Sequence, residues 1–208
     1  MEFGKVKIEC YGHDSVGIFT EKIAIYIDPY VLPKEPRKAD IILISHDHYD
    51  HLSIEKINKV KKADTIYITN EVCCSKLNGD VRTAHVGEEI EVNEVKISGV
   101  EAYNINKPFH PKGRGIGFIV EIEEKRIYFA GDTDLIEEMK EIKNIDLALL
   151  PISGTYVMTI DEAIEAVKTI KPKIAVPMHY NVIDDTNSNP EEFKNKLKGI
   201  CEVQILYK

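Results

Sequence analysis

Three histidines and two aspartates fall within six residues of the stretch Ser45-His46-Asp47-His48-Tyr49-Asp50-His51-Leu52. His46 and His48 are two apart, so extended backbone points both imidazoles to one side. Asp50 and His51 follow as the chain turns. Imidazoles and carboxylates held together are costly unless a cation or a hydrogen-bond network satisfies them. The stretch therefore reads either as a solvated acidic turn or as part of a metal site, and a metal site needs ligands from elsewhere. Three further positions sit at element ends, where loops present functional residues. These are His110, Asp132 within Ala130-Gly131-Asp132-Thr133, and His179 within Pro177-Met178-His179-Tyr180-Asn181. Taken singly, a loop histidine is more often a surface residue than a ligand. His85, in Thr83-Ala84-His85-Val86-Gly87, reads as such a strand-end surface residue.

The elements that must position these groups can be read from apolar pattern and turn residues. Ile41-Ile42-Leu43-Ile44 is a short, β-branched run that reads as a buried strand delivering the first cluster. Ser53 stands as N-cap of a helix carrying Ile54, Ile57 and Val60. Upstream, Val6 to Cys10, Val16 to Phe19 and Ile23 to Ile27 read as an antiparallel meander, with Tyr11-Gly12-His13-Asp14-Ser15 turning between the first two. Thr65 to Thr69 is a further strand, followed by a short helix from Glu71 to Leu77 and an Asn78-Gly79 turn. Strands at Val81 to Ala84, Glu88 to Val92 and Val95 to Ala102 precede the polar loop Asn104 to Gly115. Ile116 to Ile122 and Arg126 to Ala130 form a hairpin around Glu123-Glu124-Lys125. A helix bearing Leu135, Ile136, Met139 and Ile142 is expected next, then a strand from Asp146 to Leu150. Thr159 and Glu162 form a capping box for a helix over Ile160 to Ile170. After the strand Ile174 to Pro177, Asn189 and Glu192 make a second capping box with Pro190 at the first helical position. Val203 to Leu206 reads as the last strand. Each half of the chain runs from antiparallel strands into strand, polar loop and helix units.

The 208 residues suffice for one sizeable domain, expected to span 1–208. Hydrophobic residues make up 43% and charged residues 30%, the profile of a soluble globular protein. No run has the apolar length of a membrane span, and Met1-Glu2-Phe3-Gly4-Lys5 has no signal-peptide layout, so a cytoplasmic protein is expected. The formal net charge of −8 disfavours broad contact with nucleic acid. Cys10, Cys73, Cys74 and Cys201 lack zinc-knuckle spacing and read as reduced thiols.

His46-x-His48-x-Asp50-His51, followed in order by His110, Asp132 and His179, resembles the metallo-β-lactamase superfamily. Tyr11-Gly12-His13, Asp28-Pro29, Ala130-Gly131-Asp132-Thr133 and Met178-His179-Tyr180 are similar to one branch of small metal-dependent hydrolases. That branch includes L-ascorbate-6-phosphate lactonase and the N-acylphosphatidylethanolamine-hydrolysing phospholipase D. The resemblance implies an α/β fold, an αββα sandwich of two mainly antiparallel sheets with helices on the outer faces. It also implies two divalent metal ions, Zn²⁺ first and Mn²⁺ or Fe²⁺ as alternatives. His46, His48 and His110 would hold one ion, and Asp50, His51 and His179 the other, with Asp132 bridging. A water between the ions, its pKa lowered from 15.7 toward about 7, would be the nucleophile, oriented by Asp50. The family's true β-lactamases carry cysteine where Asp132 stands, which argues against β-lactam hydrolysis. The implied activity is hydrolysis of an ester-type bond in a small molecule, by a chain free to form a homo-oligomer. Phosphodiester, phosphorylated lactone and thioester are the candidate chemistries, and a non-catalytic metal-binding or sensing domain is the rival reading.

Several residues keep two readings. His13 either caps its own turn or reaches the metals from outside their ligand set as a proton donor. Thr133 and Asn181 flank ligands, and either fix local backbone or touch substrate. Lys112 and Arg114 share the His110 loop, as solvated cations or as an anion site. In the second case Arg114 would engage a phosphate bidentately, and the loop glycines would admit it close to backbone N–H groups.

Overall fold

The computed structural model describes residues 1–207. Its core lies between two seven-stranded sheets. The first holds, in sequence order, β1 (Glu2–Phe3), β2 (Val6–Gly12), β3 (Ser15–Phe19), β4 (Ala24–Ile27), β5 (Ile41–Ile44), β6 (Ile66–Thr69) and β7 (Asp80–Thr83). The second holds β8 (Glu89–Val92), β9 (Val95–Ala102), β10 (Gly115–Ile122), β11 (Lys125–Phe129), β12 (Leu147–Pro151), β13 (Ile174–Met178) and β14 (Glu202–Val203). Helices α1 (Ile54–Val60), α2 (Glu71–Cys74), α3 (Ile160–Ile170) and α4 (Pro190–Lys196) connect the later strands, giving the αββα sandwich expected from the sequence.

Both sheets follow one plan. Strands β1 to β4 pair antiparallel, and β4 to β7 pair parallel. The second sheet repeats this, antiparallel from β8 to β11 and parallel from β11 to β14. The mainly antiparallel sheets expected from the sequence are therefore evenly mixed. Parallel neighbours need a crossover, and helices or long loops supply one between successive strands from β4 to β7 and again from β11 to β14. Such strands read as continuous apolar runs because both faces are covered. All four residues of β5 and all five of β12 and β13 are buried. Leu43 faces the inter-sheet core, whereas Ile42 and Ile44 pack with Ile57 and Val60 of α1.

Several boundaries differ from the sequence reading, each for a local reason. The helix expected from Leu135 to Ile142 is only a 3₁₀ turn over Glu137–Glu141. Asp134 accepts hydrogen bonds from Asn104 Nδ2, Ile105 N and Lys107 Nζ, which holds the chain before it in a non-helical path. Helix α2 stops at Cys74, and Lys76 and Leu77 continue it only as a tightened turn to the carbonyls of Cys73 and Cys74. Ser53 occupies the N-cap of α1 without a side-chain bond. Thr159 and Glu162 form the full capping box, but Asn189 accepts from Glu191 N rather than pairing with Glu192. The last strand is Glu202–Val203, shorter and earlier than expected, and the N-terminal β1 carried no sequence signal. The four cysteines are free, with Cys10 and Cys73 buried. Among the described residues, no helix is long and apolar enough to cross a membrane.

Leu43, 0% exposed, closes the core directly beneath the His46 stretch. Leu43→Ala should cost about 2–5 kcal/mol of stability by leaving a cavity between the sheets. Urea unfolding would read this as a lower midpoint, and an unchanged midpoint would mean that this part of the core is loosely packed.

Candidate metal centre

The carboxyl ends of parallel strands from both sheets converge on one spot. Asp28 follows β4, His46 to His51 follow β5, Asp132 follows β11, Ser153 follows β12 and His179 follows β13. The β2–β3 turn brings His13, and the β9–β10 loop brings His110. Three of the non-glycine residues here have left-handed backbone, His13 at φ 53°, Asp28 at φ 44° and His179 at φ 56°. Such conformations cost on the order of 1–3 kcal/mol each and persist only where the surroundings enforce them.

Two clusters form. His46, His48 and His110 present ligand atoms within 4.8 Å of one another, and so do His13, Asp50, His51 and His179. Between them stands Asp132. Its Oδ2 lies 3.1 Å from Nε2 of His110, 3.1 Å from Nε2 of His179, 3.5 Å from Nε2 of His51 and 3.9 Å from Nε2 of His46.

The ring nitrogens are sorted by their partners. His51 Nδ1 is 2.8 Å from Asp28 Oδ2, His46 Nδ1 is 2.9 Å from Ser45 Oγ, and His110 Nδ1 is 3.1 Å from Asn104 Oδ1. His179 Nδ1 is 3.0 Å from Ser153 Oγ. Each of these four rings therefore turns Nε2 inward, because the partner on Nδ1 sets which nitrogen is free to ligate. His48 is reversed, its Nδ1 lying 3.0 Å from His46 Nε2 and 3.3 Å from His110 Nε2.

The electrostatics call for positive charge. Burial alone would lower the His51 pKa, yet Asp132 and Asp28 beside it raise it well above the usual value. Burial would raise Asp132, but His179 and His51 bring it well below the normal carboxylate range. Burial, reinforced by His51, pushes His46 well down, so it stays a neutral donor. Against its own burial, Asp50 is drawn to about 2 by the hydrogen bond from His13 at 2.8 Å and by His51. Burial takes His13 to about 4, although Asp50 opposes this. His51 Nε2 and Asp132 Oδ1 are buried without any hydrogen-bond partner. Inward nitrogens, ionised carboxylates and orphaned polar atoms together form a donor set that fits divalent metal ions.

The remaining sequence candidates are placed differently. Thr133 Oγ1 is engaged by the backbone of Tyr103 and by Asp134 O. Asn181 is exposed, and its side chain accepts from Ser188 N. Lys112 Nζ is held 2.6 Å from Glu138 and lies over the Tyr103 ring. Arg114 lines a cavity of about 360 Å³ with His46, His48 and His110. A neighbouring cavity of about 250 Å³ opens on Asp132 and His179, with Tyr49, Phe109, Tyr156 and Ile183 along its walls. His85 is exposed and stands outside both clusters.

Sequence reasoning did not single out Asp14, Ser45, Asn104, Ser153 or the aromatic wall. Short polar residues beside ligands carry no spacing signal of their own. Asp28 was visible only in the Asp28-Pro29 pair of the family resemblance.

The model for the beta-lactamase superfamily domain matches residues 7–179. The chain belongs to the beta-lactamase superfamily. A protein of Nanoarchaeum equitans named UPF0173 metal-dependent hydrolase is 36% identical over 209 residues, covering 94% of each chain. A crystal structure from Parabacteroides distasonis is 36% identical with a TM-score of 0.86, covering 96% of this chain and 92% of that one. A Thermotoga maritima structure assigned to the metallo-beta-lactamase superfamily is 27% identical, with a TM-score of 0.65 over 92% of this chain and 85% of that one. Within the superfamily the likeness to ascorbate-6-phosphate lactonase rests only on the motifs quoted above.

In this superfamily member, His110→Ala should lower the metal bound after gentle purification, whereas His85→Ala should retain it. Elemental analysis of both variants decides. Metal loss in the His85 variant alone would remove His110 from the centre.

Proposed function

We propose that this chain is a metal-dependent hydrolase that cleaves an ester-type bond of a small phosphorylated molecule at a pair of divalent ions. A phosphodiester or a phosphate-bearing lactone fits best. The observation that carries the reading is Asp132 Oδ2, within 3.9 Å of inward nitrogens from both histidine clusters. A carboxylate so placed is suited to being shared by two cations about 3.5–4 Å apart. Bound there, Zn²⁺, Mn²⁺ or Fe²⁺ would supply Lewis acidity and a hydroxide nucleophile at neutral pH.

The chain's own residues have separate tasks. Asp50, kept ionised and fixed by His13, accepts a hydrogen bond from water and orients it. Tyr49, Phe109, Tyr156 and Ile183 receive the apolar part of the substrate and exclude bulk solvent from the reacting bond. Arg114 meets the phosphate. Asp47 Oδ1, at 3.6 Å, is beyond hydrogen-bond distance, and the other oxygen of Asp47 pairs with Lys76 at 2.7 Å, which leaves the guanidinium available. Lys112 is committed to Glu138, so the anion contact falls on Arg114 alone. Thr133 and Asn181 hold the loops around Asp132 and His179.

The test is a panel of phosphodiesters, phosphorylated lactones and thioesters, run on protein of known metal content. About two divalent ions per chain are expected, with hydrolysis lost on chelation and restored by metal. Arg114→Ala should raise KM for the phosphorylated substrate about tenfold or more, the loss of a charged hydrogen bond, and Lys112→Ala should not. Full activity with one ion contradicts the two-metal reading, and equal turnover of an uncharged ester contradicts the phosphate reading.

A further inference from the structure

Two buried acids at this centre stand outside the expected ligand set, Asp28, which is held by Ser45 and His51, and Asp14. Asp14 follows His13 in the β2–β3 turn and is 0% exposed. Neither of its carboxylate oxygens has a hydrogen-bond partner. A carboxylate at that depth is strongly disfavoured unless donors or a cation meet it. Among the described residues Asp14 has no Lys or Arg partner, and its one ion-pair approach is to His51 Nδ1 at 3.9 Å. That nitrogen is already taken by Asp28 at 2.8 Å.

Asp14 belongs to a set of atoms able to hold a metal ion. Asp14, His51, Asp132 and His179 each offer one such atom, all within 4.8 Å of one another. Ligands on opposite sides of one ion, at bonds of about 2.0–2.2 Å, stand roughly 4–4.4 Å apart. The set therefore needs little adjustment to close on a single cation. Two other members of the set, His51 and Asp132, also carry orphaned atoms, Nε2 and Oδ1. Three residues of the set thus carry orphaned atoms.

We propose that Asp14 is an additional oxygen ligand of the second metal ion, joining Asp50, His51, His179 and the shared Asp132. This rests on the two-metal reading above. It makes the two positions unequal. The first has three imidazoles and the shared carboxylate, a nitrogen-rich four-ligand set that suits Zn²⁺. The second has three carboxylates and two imidazoles, which suits a harder ion of higher coordination number, Mn²⁺ or Fe²⁺.

The experiment compares wild-type protein with Asp14→Ser and Asp14→Asn in Mn²⁺ and Zn²⁺ binding. Equilibrium dialysis with elemental analysis gives stoichiometry and affinity, and electron paramagnetic resonance of bound Mn²⁺ reports whether two ions are coupled. Wild-type protein should bind two Mn²⁺. Both variants should keep one, bind the second about tenfold or more weakly, and lose the coupled signal, with a smaller change for Zn²⁺. Metal-stripped Asp14→Ser should be at least as resistant to urea as the stripped wild type, because an unpartnered buried acid is gone. A stripped variant that is less stable or fails to fold makes Asp14 a structural acid and overturns the assignment. Two Mn²⁺ bound by the variants with unchanged affinity overturns the Asp14 assignment alone. One Mn²⁺ in the wild type overturns the two-metal reading and Asp14's place in it together.

Discussion

Asp132 Oδ2 lies 3.1 Å from both His110 and His179, which reach it from the second sheet, and within 3.9 Å of His46 and His51 from the first. This one oxygen ties the two halves of the centre together. The acids around it are buried, and the imidazoles around it are locked by partners on their outward nitrogens. Such an arrangement is electrostatically expensive for a chain by itself. It would become favourable with positive charge between the acids, so a metal bound there would couple to the folding of this region. The left-handed residues His13, Asp28 and His179 belong to the same constraint, since each turns the chain sharply where a ligand or its holder must be presented.

The mirrored strand order of the two sheets explains why so many of these groups meet. Strand β4 corresponds to β11, and the acid after each is central, Asp28 in one half and Asp132 in the other. The β2–β3 turn with His13 corresponds to the β9–β10 loop with His110. Strand β6 corresponds to β13, and the first delivers Asn70, whose amide supports Ser45 O and Arg114 O, where the second delivers His179. Equivalent positions have thus been divided between binding groups and supporting groups. The parallel halves place their carboxyl ends on a common rim, the usual location for sites in sheets of this type.

Much of this was legible in the sequence because chemistry and spacing coincide. Histidines two apart after a buried strand can hardly be packing residues, and His110, Asp132 and His179 all stand at element ends. The strands and α3 were visible from apolar runs and a capping box that are local in origin. What was not legible depends on tertiary placement. Asp14 reads as an ordinary turn acid, and only the structure reveals that it is fully buried without a partner. Asn104 and Ser153 look like loop polarity until each is found against an imidazole. The apolar spacing from Leu135 to Ile142 is helical, yet the hydrogen bonds that fix Asp134 override it. Tyr49, 68% exposed, acquires meaning only from the cavity wall it shares with Phe109 and Tyr156. Lys112 and Arg114 share one loop in the sequence, and Glu138, distant in the chain, pairs with the first of them.

The central claim is that Asp132 is shared by two cations, and anomalous diffraction from crystals of metal-loaded protein tests it most directly. The account predicts two anomalous peaks about 3.5–4 Å apart, one beside His46, His48 and His110 and the other beside Asp50, His51 and His179. Both should lie within bonding distance of the Asp132 carboxylate. A single peak, or two peaks of which only one touches Asp132, would contradict it.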